Sequence, residues 1–197
     1  MDLCFASNNV HKLEEVSAIL GPGFKLMSLE DIGCKVELSE TQDTLEGNAS
    51  QKASYVWHHH HIPCFADDTG LEVAALGGAP GVYSARFAGP QGSSIDNIQL
   101  LLSRLSGVTN RVAQFRSVMA LILPQGEWLF EGIVSGKILE SSKGTQGFGY
   151  DPVFMPEGYT KTLAEMTMDE KNAISHRAVA LRKLVQFLTT LKGASNA

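Results

Sequence analysis

Leu3-Cys4-Phe5-Ala6-Ser7-Asn8-Asn9-Val10-His11-Lys12-Leu13 decides the fold class. Leu3 to Ala6 reads as a short buried strand. It runs into polar Ser7-Asn8-Asn9, after which Leu13, Val16, Ile19 and Leu20 recur at helical spacing. A buried strand feeding directly into a helix is the repeating step of an α/β protein. Gly21-Pro22-Gly23 stops the helix, and Lys25 to Leu29 reads as a second strand.

Further along, Thr44 to Trp57 fits a helix with Leu45, Ala49, Ala53 and Val56 inward and Lys52 off that stripe. Cys64 to Ala66 reads as a short strand ending in a turn at Asp67-Asp68. Gly77-Gly78-Ala79-Pro80-Gly81 is a loop, and Ser94 to Leu105 is a capped helix with Ile95, Ile98, Leu101, Leu102 and Leu105 on its apolar face. Arg111 to Leu123 is β-rich, and Pro124-Gln125-Gly126 turns it into Trp128 to Val134 as an antiparallel pair. The last helix is expected to start near Asp169. Its stripe of Ile174, Ala178, Leu181, Val185 and Leu188 leaves Lys171, His176 and Arg177 off the core face. No linker or repeat divides residues 1–197, so one domain is expected.

With 44% hydrophobic and 19% charged residues the chain reads as a soluble globular protein. A net charge of −5 gives no basic face for a nucleic-acid polymer, whereas a single nucleotide needs only a few local cations. The start, Met1-Asp2-Leu3-Cys4-Phe5-Ala6-Ser7, reads as neither a signal peptide nor a membrane anchor. Cys4, Cys34 and Cys64 form no CxxC pair, which suits buried, reduced thiols in a cytoplasmic protein.

The polar clusters carry the chemistry. Free N–H groups at the helix start after Ser7-Asn8-Asn9, with Lys12 close by, suit an anionic phosphate; a plain N-cap is the structural alternative. No GxxxxGK[ST] pattern occurs, which argues against an ordinary P-loop ATPase. Carboxylates at Asp67-Asp68-Thr69-Gly70 can bind Mg²⁺ or orient a water for attack on phosphorus. Only one of them should face the site, because neighbouring side chains in an extended segment point opposite ways. An Asx turn is the structural alternative. Glycines around Phe148 in Gly147-Phe148-Gly149-Tyr150-Asp151-Pro152 free the ring to stack on a base, worth ~1–3 kcal/mol, unless Phe148 belongs to the core. His58-His59-His60-His61 has no Cys or Glu at zinc-ligand spacing and reads as a solvated loop.

Several blocks in order extend this reading. They are Ser7 to Lys12, Gly47-Asn48-Ala49 with Lys52, Ala66-Asp67-Asp68-Thr69-Gly70-Leu71, and Gly77-Gly78-Ala79-Pro80-Gly81-Val82-Tyr83-Ser84-Ala85-Arg86. Gly147 to Phe154 and Glu170-Lys171-Asn172-Ala173-Ile174-Ser175-His176-Arg177 complete them. The chain thereby resembles the inosine/xanthosine triphosphate pyrophosphatase family, which cleaves non-standard purine nucleoside triphosphates. The resemblance implies an α/β fold with a long mixed central β-sheet flanked by helices, and two lobes with the active-site cleft between them. It implies a Mg²⁺-dependent homodimer that releases pyrophosphate and a nucleoside monophosphate, clearing ITP, dITP and XTP from the nucleotide pool. By position, Asp68 would be the general base and a metal ligand, with Glu40 as second ligand. Ser7, Asn8, Asn9, Val10, His11, Lys12, Lys52 and Lys171 would hold the triphosphate, with Thr69 against the substrate. Phe148, Gly149, Tyr150, Asp151, His176 and Arg177 would hold the base.

Asn8 stands where the family commonly has glycine, Thr69 replaces a frequent serine, and Gly47 takes a position often held by Glu, with Glu46 beside it. Two other activities fit the same motifs: a pyrophosphatase for pyrimidine or modified nucleotides, and a nucleotide-sensing module without turnover. The pairing of Asp68 with Glu40 argues against the latter.

Overall fold

A computed structural model describes residues 1–21 and 23–194, so Pro22 of the expected helix stop lies outside the described residues. The strands are β1 (Asp2–Phe5), β2 (Lys25–Met27), β3 (Cys64–Val73), β4 (Pro80–Gly81), β5 (Val112–Leu123), β6 (Gly126–Ile138) and β7 (Phe154–Pro156). The helices are α1 (Val10–Leu20), α2 (Leu45–His60), α3 (Ser94–Arg104), α4 (Met168–Ile174) and α5 (His176–Ala194). The strands form one mixed sheet in the order β2-β1-β3-β5-β6-β7, with β4 paired to β3. β1 runs parallel to β2 and β3, whereas the β3–β4 and β6–β7 pairs are antiparallel. The two residues between β5 and β6 permit only an antiparallel hairpin. The fold is therefore α/β, as expected.

The chain groups into two compact units. One comprises Met1–Asp68, Ser117–Gly132 and the chain from Arg177 onward; the other comprises Thr69–Arg116 and Ile133–His176. In the first, the two-residue period of the strands sorts side chains by size. Leu3, Phe5, Phe65, Met119 and Leu121 share a cluster with α1 and α5, where Phe5 and Phe65 stack at 4.8 Å. Cys4, Ala6, Cys64, Ala66 and Ala120 take the alternate positions and meet Ala49, Ala53 and Val56 of α2. Small residues on both partners let α2 lie close to the strands, which is how a lysine on this helix reaches strand backbone. Cys4, Cys34 and Cys64 are buried and unlinked, and burial pushes the thiols of Cys4 and Cys64 up to about 12.

The second unit packs Ile98, Leu101 and Leu105 against Leu71, Val73, Ala113 and Phe115. Ile95, expected on the apolar face of α3, is 68% exposed. Buried Asn97 holds the inward place and is bonded to the Ala88 N–H at 2.7 Å and the Ala85 carbonyl at 3.0 Å. Gly70 lies against the Gly81 backbone, where a Cβ would come within 2.6 Å of the Gly81 carbonyl oxygen. Gly70→Ala should therefore cost ~1–3 kcal/mol, the range for forcing atoms into a packed site. A denaturant midpoint equal to that of the wild type would contradict this.

Other boundaries differ from expectation, among them Pro80–Gly81, which pairs with β3 as β4 inside the expected loop. β3 does not turn at Asp67-Asp68 but runs through to Val73, because both carboxylates are buried and paired instead of turning out to water. The last helix is broken: Ser175 is extended (ψ 150°), separating α4 from α5, and α4 starts at Met168 behind a Thr167/Glu170 capping box. The histidine run is solvated but helical. His58 to His60 close α2, His61 is its left-handed cap, and the Nδ1 atoms of His58 and His59 meet the Ser54 and Tyr55 carbonyls at 2.7 and 2.8 Å. Among the described residues no helix is long and apolar enough to cross a membrane.

Candidate active site

In the first unit, Asn9 caps α1: its side chain accepts the Lys12 N–H at 3.1 Å, and the Asn9 N–H donates to Ser7 Oγ at 3.2 Å. The N-cap reading thus holds, while Asn8, Asn9, Val10 and His11 remain exposed at the helix start. Lys12, one turn in, points its Nζ at Asp67 Oδ1, 2.9 Å away. Asp67 is 1% exposed and also accepts from Arg177 Nε at 3.0 Å, and Arg177 Nη1 pairs with buried Glu15. Burial would raise the Asp67 carboxyl, but Lys12, Arg177 and Lys52 outweigh it and hold it far below the usual range. Burial lowers Lys12, with Asp67 opposing, whereas Arg177 is raised because Asp67 and Glu15 overcome its burial.

Arg177 is therefore not off the core face, as periodicity suggested, but 2% exposed; Lys171 and His176 are 4% exposed each. The break at Ser175 changes the helical phase, so one stripe cannot describe both helices. Glu15 was missed because it reads as one of two adjacent exposed acids; its i,i+3 spacing from Lys12 was the available signal.

The alternate residue of β3, Asp68, faces α2. Asn48 Nδ2 donates to Asp68 Oδ2 at 2.9 Å, and Lys52 Nζ donates to the Asp67 carbonyl at 2.7 Å and to Glu40. So the two adjacent aspartates divide as the strand period requires, one toward Lys12 and the other toward Asn48. Burial pushes the Asp68 carboxyl up; Lys52 works against the rise and Glu40 reinforces it. Glu40 and Asp68 are thus electrostatic neighbours. Among the described residues no group of three or more His, Cys, Asp or Glu gathers as a metal cage. Two carboxylates suit Mg²⁺, which takes the rest of its oxygen shell from water and phosphate.

In the second unit, Gly147 and Gly149 (φ 73° and 60°) flank Phe148, which is half-buried and thus not part of the core. Asp151 Oδ2 accepts the Phe148 N–H at 2.9 Å and Lys171 Nζ at 2.7 Å, and that ammonium lies 4.9 Å from the Phe148 ring centre. Lys171 therefore joins Phe148 and Asp151. The Tyr150 side chain is core: it is 4% exposed and its hydroxyl donates to the Ser84 carbonyl at 2.8 Å. His176 stacks on Phe115 at 4.7 Å, and Thr69 is half-buried in β3. Ser84 was also missed. Its hydroxyl accepts the Leu71 N–H at 2.8 Å and so fixes the loop under Tyr150.

Buried Lys52, a helix start open to solvent and the neighbouring carboxylates of Asp68 and Glu40 are groups suited to a phosphate-bearing anion. The Ham1 family model matches residues 3–187. The chain is 49% identical to a dITP/XTP pyrophosphatase of Flavobacterium johnsoniae, covering 98% of this chain and 100% of that protein. It is 50% identical to a dITP/XTP pyrophosphatase of Porphyromonas gingivalis, covering 96% and 98%. Among solved structures it superposes on the Staphylococcus aureus Ham1 protein with a TM-score of 0.89 at 37% identity, covering 96% of this chain and 99% of that one. The chain belongs to the Ham1 family.

Proposed function

We propose that this chain hydrolyses non-standard purine nucleoside triphosphates, dITP, ITP and XTP, to the monophosphate and pyrophosphate. Its similarity to dITP/XTP pyrophosphatases along nearly the whole chain supports this reading. The observation that carries it is Asp68, a buried carboxylate that Asn48 orients, with Glu40 and Lys52 as its charged neighbours.

In this reading the start of α1, Ser7 to Lys12, together with Lys52, holds the triphosphate. Asp68 accepts a proton from the water that attacks the α-phosphorus, the bond to the bridging oxygen breaks, and pyrophosphate leaves. Mg²⁺, held by Glu40 and Asp68, would offset phosphate charge. Phe148 offers its face to the base. His176 and Arg177 supply donors suited to a 6-carbonyl, which adenine's amino group would meet unfavourably. Arg177 also supports the phosphate side, because its Nε and Nη1 are turned to Asp67 and Glu15. The enzyme would work as a cytoplasmic homodimer that keeps such nucleotides out of nucleic acid, as the family resemblance implies.

Turnover of ITP should vanish with excess chelator and return with Mg²⁺, because the triphosphate charges need a hard cation. Pyrophosphate release checks this, and full activity in chelator would contradict it.

A further inference from the structure

Asn48 is fully buried near the start of α2. It shares one helix face with Gln51 and Lys52, at i+3 and i+4. These side chains hold Glu40-Thr41-Gln42, a stretch with no helix or strand of its own. The Gln42 N–H donates to Asn48 Oδ1 at 2.9 Å and the Thr41 N–H to Gln51 Oε1 at 3.0 Å. Gln51 Nε2 donates to Thr41 Oγ1 at 2.9 Å, and Lys52 pairs with Glu40. Gly47 supplies the room: a Cβ there would lie 2.7 Å from Gln42 Cβ.

The two ends of the Asn48 amide are not interchangeable. A backbone N–H only donates, so Oδ1 must face Gln42, and Nδ2 is thereby committed to Asp68 Oδ2 at 2.9 Å. A buried amide used at both ends resists rotation, because any turn leaves a buried polar group unmet.

We propose that Asn48 is a positioning residue for the hydrolysis described above. Its amide sets the plane of the Asp68 carboxylate and ties it to the segment that carries Glu40, so both carboxylates are presented as a preset pair. Asn48 touches neither the substrate nor the reacting atoms. It acts through Asp68 on one side and through Gln42 on the other, and the inference rests on the hydrolase reading.

Two substitutions separate the two ends. Asn48→Asp keeps an acceptor for Gln42 and sets a second carboxyl against Asp68 in place of the amide donor, whereas Asn48→Leu removes both bonds at similar volume. We would measure kcat and KM for ITP well below the melting temperature, and amide hydrogen exchange at Gln42 on the substrate-free protein. Asn48→Asp should lower kcat by ~10–10²-fold, the usual effect of losing an outer partner, while KM moves less than ~3-fold. Its Gln42 amide should stay protected, and Asn48→Leu should lose that protection as well as turnover. A role in packing alone would lower the melting temperature without separating kcat from KM, and that result would overturn the proposal. So would wild-type kcat in Asn48→Asp, which decides the matter alone if Asn48→Leu fails to fold. A wild-type enzyme that releases no pyrophosphate would sink the hydrolase reading and this inference with it. An active wild type with an unaltered Asn48→Asp variant would sink this inference only.

Discussion

Asp68→Asn is expected to lower ITP turnover by ~10²–10⁴-fold, the range for losing a positioned general base. The amide is nearly isosteric with the carboxylate, so the strand and its pairing with β1 should survive. What is lost is the group that takes the proton from water. Asparagine also places a second amide opposite Asn48 Nδ2, which now donates to Asp68 Oδ2 at 2.9 Å. The folded state is checked by circular dichroism and the rate by pyrophosphate release. A folded, pure variant at near wild-type rate would remove Asp68 from the reaction.

The adjacent aspartate should act on stability instead. Asp67 lies between Lys12 Nζ at 2.9 Å and Arg177 Nε at 3.0 Å, with all three side chains largely out of water. Asp67→Asn leaves two buried cations facing a neutral amide, and breaking a buried pair from one side costs ~3–5 kcal/mol. Denaturant unfolding should show this loss, and a midpoint unchanged from wild type would contradict it. The pH dependence follows from the direction of the shift. Burial raises the Asp67 carboxyl, Lys12, Arg177 and Lys52 lower it further than burial raises it, and the folded value falls below the ordinary one. A depressed folded value contributes stability that is fully present above the unfolded carboxylate value of ~3.9 and is lost as pH falls toward the folded one. Wild-type stability should therefore drop through acid pH, and Asp67→Asn should lack that part of the drop.

The contrast between these two residues marks what the sequence disclosed. Period-2 alternation indicated that only one of Asp67 and Asp68 would serve the site. It did not indicate that the strand would continue to Val73, because two adjacent acids ordinarily turn out to water and only partners distant in sequence keep them buried. Lys12 lies 55 residues from Asp67 and Arg177 lies 110. Helices with clean apolar stripes, such as α1 and α2, were legible because their cores are set by spacing alone. The stripe of Ala178, Leu181, Val185 and Leu188 on α5 was legible too, but not the break at Ser175 that sets where α5 starts and buries His176 and Arg177. Lys171 was legible as a site residue but not in its placement, because its partners Phe148 and Asp151 come from a loop whose path no local pattern fixes. Asn48 stood inside a recognised motif, yet its two-ended bond depends on an irregular stretch that carries no periodic signal.

The central claim, hydrolysis of purine triphosphates that carry a 6-carbonyl and lack guanine's 2-amino group, is tested most directly by pyrophosphate release from ITP, XTP, ATP and GTP at equal concentration with Mg²⁺. The account predicts kcat/KM on ITP and XTP at least ~10²-fold above that on ATP, as a polar pocket facing the wrong edge group requires, and GTP also disfavoured. Equal rates on all four nucleotides, or no release from ITP and XTP by folded protein, would contradict it.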